Sequence, residues 1–140
     1  MTVDALISGL VGFLVGTATG AAGKYFADKY TDQRKEKEAA ARLRRQFLEM
    51  KALMPDLIAE LKADLGRADS SLIREFVILS NERAIFNSAM PRFAYYEERI
   101  PQLRNKAALL LAADFVADVS ATDTPIFRMD DSFVRMVLKS

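Results

Sequence analysis

Residues 103–138 read LRNKAALLLAADFVADVSATDTPIFRMDDSFVRMVL, and the succession of patterns within them decides the fold class. Residues 102–113 are rich in Leu and Ala and hold no Gly or Pro, which predicts a helix with Leu103, Leu110 and Leu111 as its core contacts. The pattern then changes. Residues 115–119 and 125–129 read as two strands joined by a turn at Ala121, Thr122, Asp123 and Thr124. Asp130 or Asp131 is placed to cap a last helix through Lys139 that buries Phe133, Val134, Val137 and Leu138. Helices packed on a small sheet make the fold α+β.

Upstream, Pro55 has no N–H to give and suits the first turn of a helix. That helix runs to about Leu65, with Gly66 as its C′ glycine and a polar loop over residues 67–71. Residues 72–79 (LIREFVIL) read as a strand, 80–83 as a turn, 84–87 as a short strand and 92–97 (RFAYYE) as a third. Together they predict a small antiparallel meander. Tyr95 and Tyr96 should then put one ring into the core and one out.

The segment 103–138 looks like the helix–wing–helix end of winged-helix domains. With MPDLIAELKADL (54–65), LIREFVIL and FAYYEE (93–98), it resembles uncharacterised bacterial proteins in which such a domain follows a membrane helix. The resemblance covers roughly residues 53–138 and rests on loose hydrophobic patterns. It implies a winged-helix-like soluble domain at 53–140 and carries no function with it. Three predicted strands precede the helix where a DNA-binding winged helix usually carries more helix, which weighs against a DNA role.

Residues 5–23, ALISGLVGFLVGTATGAAG, hold no charge. As a helix they span about 28 Å, close to the hydrocarbon core of a bilayer. A cleaved signal peptide is the nearest alternative, but the residues before the apolar run hold no Lys or Arg, only Asp4. Lys24, Lys29, Arg34, Lys35 and Lys37 follow directly, which favours an uncleaved anchor at 1–23 with the C-terminal side cytoplasmic, as in a bacterial inner membrane. Gly9, Gly12, Gly16, Gly20 and Gly23 fall within a strip about 80° wide on a helix. Such a face lets a neighbouring helix approach closely, so it predicts self-association or docking on another membrane protein.

Residues 24–52 form a charged connecting helix rich in Lys, Glu, Arg, Ala and Gln. Lys24, Tyr25, Phe26, Lys29 and Tyr30 sit where a membrane interface is expected. Leu43, Phe47, Met50, Met54, Leu57 and Leu61 make an apolar seam spaced 4, 3, 4, 3 and 4. The seam suits a short coiled coil or docking on the chain's own domain. Arg42, Arg44 and Arg45 fit topology and attraction to anionic headgroups better than nucleic acid.

The composition limits chemistry. The chain of 140 residues has no Cys, which removes disulfides and thiolates, and no His, which removes the commonest general base and metal ligand. Residues 1–54 carry nine Lys or Arg against six Asp or Glu; residues 55–140 carry eleven against thirteen. Glu97-Glu98 and Asp130-Asp131 are adjacent pairs that do not face one another. No phosphate-binding or dinucleotide loop is present, and the Asp114, Asp118 and Asp123 series does not match a calcium loop. The expectation is a single-pass, non-enzymatic interaction or assembly protein. It takes no cofactor, metal or small-molecule substrate, and its partners are the bilayer and itself or another membrane protein. The alternative is a membrane-tethered DNA-binding regulator reading DNA through Gln102, Arg104, Asn105 and Lys106, which the acidic balance of residues 55–140 disfavours.

Overall fold

The computed structural model describes the backbone of residues 3–140 and the side chains of residues 22–140. The fold is α+β: a long N-terminal helix, α1 (Val3–Leu53), precedes a small mixed four-stranded sheet with helices. The chain divides into two compact units, residues 1–43 and 44–140, with the division inside α1.

In the first unit every described residue from Ala22 to Arg42 is exposed. Local terms hold the helix there. Arg34 pairs with Glu38 one turn on at 3.1 Å, and the Thr31 hydroxyl donates to the Ala27 carbonyl at 2.8 Å.

In the second unit, α1 stops at Leu53 and α2 (Pro55–Leu65) starts with proline at its first position. Met54 takes φ −135° and ψ 59°, outside the helical region that a following proline disfavours, and its side chain is fully buried at the bend. α2 faces the core with Leu57, Ile58, Leu61 and Leu65. The helix ends at Leu65 and Gly66 follows as expected, but as the capping residue in a right-handed conformation (φ −74°) rather than at C′.

The sheet contains β1 (Glu75–Leu79), β2 (Phe93–Tyr96), β3 (Val116–Asp118) and β4 (Ile126–Met129), in the order β2-β1-β4-β3. β3 and β4 form the expected antiparallel hairpin, with Ala117 opposite Arg128. β4 also pairs antiparallel with β1, Phe76 opposite Phe127. The expected antiparallel meander is corrected here. β2 runs parallel to β1, Ile78 beside Tyr95, and residues 84–87 form no strand. A parallel neighbour requires a crossover of about a dozen residues or more, and residues 80–92 are that crossover. Turn residues followed by a short apolar run fit a hairpin and a crossover equally well, so the pattern misleads at this point.

The inner sheet face carries an aromatic core. Phe76 lies 5.6 Å from Tyr95 and 5.5 Å from Phe127, ring centre to ring centre. The Tyr95 hydroxyl donates to Asp64 of α2 at 2.8 Å, while the Tyr96 ring is only half-buried. Next to this, Phe115 stacks on Phe133 at 5.1 Å, and Phe47 of α1 packs edge-on against both.

α3 (Leu103–Ala112) ends in a Schellman motif. The Phe115 amide donates to the Leu110 carbonyl and the Asp114 amide to the Leu111 carbonyl, with Asp114 in the left-handed region at φ 60°. α3 buries Leu103, Ala107 and Leu110; Leu111, an expected core residue, is exposed. In α4 (Asp131–Lys139) the cap is Asp130, whose carboxylate accepts from the Ser132 amide at 3.0 Å. Phe133, Val134 and Val137 are buried as expected, but Leu138 is exposed.

Candidate functional site

The expected site residues fall into three groups with different surroundings. Gly9, Gly12, Gly16 and Gly20 lie outside the described side chains, as does most of the expected spanning segment 5–23. A side-chain carbon added at Gly23 would meet nothing within 4 Å. Among the described residues no helix is long and apolar enough to cross a membrane.

The second group is Lys24, Tyr25, Phe26, Lys29 and Tyr30, all exposed. Tyr25 is 64%, Phe26 55% and Tyr30 72% exposed, and the Tyr25 and Phe26 rings touch only edge to face at 5.7 Å. The apolar seam is the third group. Phe47, Met54, Leu57 and Leu61 are buried within the second unit's own core, and Leu43 and Met50 are half-buried.

Sequence reading overlooked a cluster on the outer sheet face. Strand alternation puts Glu75, Val77 and Leu79 on the face opposite Phe76 and Ile78. Val77, Leu79 and Ile126 form a second apolar cluster there, with Phe86, Tyr96 and Val119 packed against it. Phe86 belongs to the crossover. Arg92 holds it in place: its guanidinium lies over the Phe86 ring, 6.0 Å from the centre, and also donates to the Ser88 hydroxyl.

Glu75 is the one charged residue among the described ones that is buried. Its Oε2 accepts from Arg92 Nε at 2.7 Å, and its Oε1 accepts from Arg128 Nε at 3.2 Å and Nη2 at 2.8 Å. These contacts join β1, β4 and the entry to β2. Arg128 first, and Arg92 after it, hold the carboxyl below the usual carboxylate range against the opposing effect of burial. With three arginine N–H groups on its two oxygens and its pKa lowered, Glu75 is a poor general base. The available signal was a Glu inside the expected strand 72–79, which by itself names no partner.

Beside Glu75 is an open recess of about 330 Å³ lined by Leu72, Arg74, Glu75, Met90, Pro91 and Arg128, among others. Arg74 is fixed by Asp131 at 2.9 Å and by the Ser71 carbonyl at 2.6 Å. Leu72 is 89% exposed and Met90 58%.

The four residues considered for DNA contact are differently placed. Lys106 is bound to both oxygens of Asp56, at 2.8 and 2.9 Å, and its hydrogen bond is the chief cause holding Asp56 below its usual pKa. Arg104 pairs with Glu97. Gln102 and Asn105 are exposed, with Gln102 in the left-handed region at φ 55°. Burial is the main cause raising the Tyr95 phenol, which keeps it neutral as the donor to Asp64. Among the described residues no group of three or more Asp or Glu is arranged to hold a metal ion. Comparison with protein families, curated proteins and solved structures finds no match to this chain.

Proposed function

We propose that the chain is a single-pass, membrane-anchored, non-enzymatic interaction or assembly module. In this reading residues 5–23 cross the bilayer, the glycine face associates with another helix there, and the α+β unit engages a protein partner on the cytoplasmic side. The observation that carries it is the exposure of Tyr25, Phe26 and Tyr30 beside Lys24 and Lys29, just past the uncharged stretch. Burying one such ring is worth about 1.5–3 kcal/mol, so three left in water on one short segment call for a covering medium. A bilayer interface suits them, because it accepts ring bodies, hydroxyls and ammonium groups together.

A winged-helix-like build for residues 53–140 is part of the proposal. The order α3, hairpin β3–β4, α4 and the pairing of β1 with β4 support it. The paired state of Lys106 and Arg104 and the acidic balance of residues 55–140 support a protein partner over nucleic acid.

Alkaline carbonate extraction of membranes tests the anchor. The full chain is expected to stay in the pellet, and replacing Leu10 and Leu14 with Arg to release it. A wild-type chain found in the supernatant overturns the anchor. For self-association, sizing in detergent should show an oligomer that Gly16→Leu disrupts. A monomer unaffected by that change removes this half of the reading.

A further inference from the structure

We propose that the recess beside Glu75 docks a peptide segment of a protein partner in which an Asp or Glu stands next to a large apolar residue. This rests on the reading of the α+β unit as an interaction module and names the chemistry of its partner.

The first argument is an inventory of donors and acceptors. Two acids in and beside the recess are engaged by arginine. Glu75 receives Arg92 and Arg128, and Asp131 receives Arg74. Asp69, which also lines the recess, accepts only from the Ser70 hydroxyl at 3.3 Å and keeps acceptor capacity of its own. The arginines are not used up. Arg128 remains 58% exposed, and its Nη1 makes no hydrogen bond among the described residues. Arg74 uses Nε and Nη1 and leaves Nη2. The recess therefore offers a ligand N–H donors more than acceptors. A guanidinium presents paired N–H groups that match a carboxylate. Both arginines are held by intramolecular partners before a ligand arrives, which lowers the ordering cost on binding.

The second argument is the wall. Leu72 and Met90 line the same recess from two different loops and are among the most exposed large apolar side chains of the unit. Pro91 adds a rigid apolar surface between Met90 and Arg92. Arginine and methionine beside apolar side chains match the composition of protein interfaces. A carboxylate on the arginines and an apolar neighbour on Leu72 and Met90 would satisfy both halves together.

The test uses the full chain in its own membranes, with a photoreactive benzophenone side chain in place of Leu72. Crosslinked peptides, read by mass spectrometry, are expected to come from a partner protein and to carry an acid beside a large apolar residue. Arg128→Gln should lower their yield roughly tenfold or more, as loss of a charge-assisted hydrogen bond implies. Since that change also disturbs Glu75, Met90→Ser serves as a second variant; it should lower the yield several-fold with an unchanged melting temperature. Adducts to lipid, to another copy of this chain or to segments without an acid overturn the proposal. So does a yield no higher than from the same group at Leu53, an exposed site on α1. A chain released from membranes by carbonate that still gives acid-bearing partner crosslinks sinks the anchor and leaves the docking site standing.

Discussion

The two faces of the four-stranded sheet are closed by different means. On the inner face Phe76 packs against both Tyr95 and Phe127, and the Tyr95 hydroxyl reaches Asp64 of α2. On the outer face a crossover without regular structure lies over Val77, Leu79 and Ile126. It is held by Phe86, by the Arg92 guanidinium and by Glu75 beneath. The difference teaches where a small domain has room for function. The inner-face rings of Phe76, Tyr95 and Phe127 are buried, and the Tyr95 hydroxyl has its partner in Asp64. The outer side leaves Arg128, Leu72 and Met90 exposed, under a thinner cover.

The largest expected effect is on the inner side. Phe76→Ala should cost about 3–5 kcal/mol in denaturant unfolding, because a fully buried ring leaves a cavity. A loss no larger than that of Phe86→Ala would break the contrast between the faces.

Next is the buried carboxylate. Glu75→Ala should cost about 2 kcal/mol, since two charge-assisted pairs are lost but both arginines retain some access to water. Glu75 also carries a pH signature. Its folded pKa is lowered, so its contribution is present above the unfolded value, near 4.5, and is lost as pH falls below it. Melting temperatures followed from pH 6 to pH 3 should fall less steeply for Glu75→Gln than for the native chain. Asp56, Asp118 and Asp130 are lowered too, so part of the slope remains.

Phe86→Ala should cost about 1 kcal/mol, in keeping with a half-buried ring. Its clearer readout is local: amide exchange over residues 80–92 should speed up while that of β1 and β4 does not. Equal acceleration of all three would mean that crossover and sheet open as one.

The smallest effect has the opposite sign. Asp114 occupies a left-handed position where glycine has no side-chain penalty. Asp114→Gly should raise stability by up to about 1 kcal/mol in chemical denaturation. A decrease would show that the Asp114 side chain contributes something the hydrogen bonds of the motif do not.

Much of the fold was legible. Pro55 opens α2, Asp130 caps α4, and the hairpin over residues 116–129 lies within the expected strand–turn–strand pattern. Each depends on groups within a few residues of one another. The errors share a different cause. Leu111 and Leu138 are as apolar as Leu110 and Val137 but are exposed, because the angle at which each helix meets its neighbours selects the buried stripe. Gly66 reads as a C′ glycine, yet it caps α2 in a right-handed conformation, where an added side-chain carbon would come within 3.0 Å of the Lys62 carbonyl. As for the candidate site, the exposed aromatics beside Lys24 and Lys29 could be read from spacing alone. The Glu75 cluster could not, because Arg92 and Arg128 lie 17 and 53 residues away from it.

By itself, then, the sequence determined the chain's local grammar: the long helix, the α+β class, the helix starts and the β3–β4 hairpin. Hydrogen-bond groups within one turn settle these, and composition records them directly. Only the tertiary structure decided that β2 runs parallel to β1, that residues 80–92 cover the outer face, and that Glu75 lies buried between two arginines. Those outcomes depend on which distant segments exclude water together, and no periodicity along the chain encodes that choice.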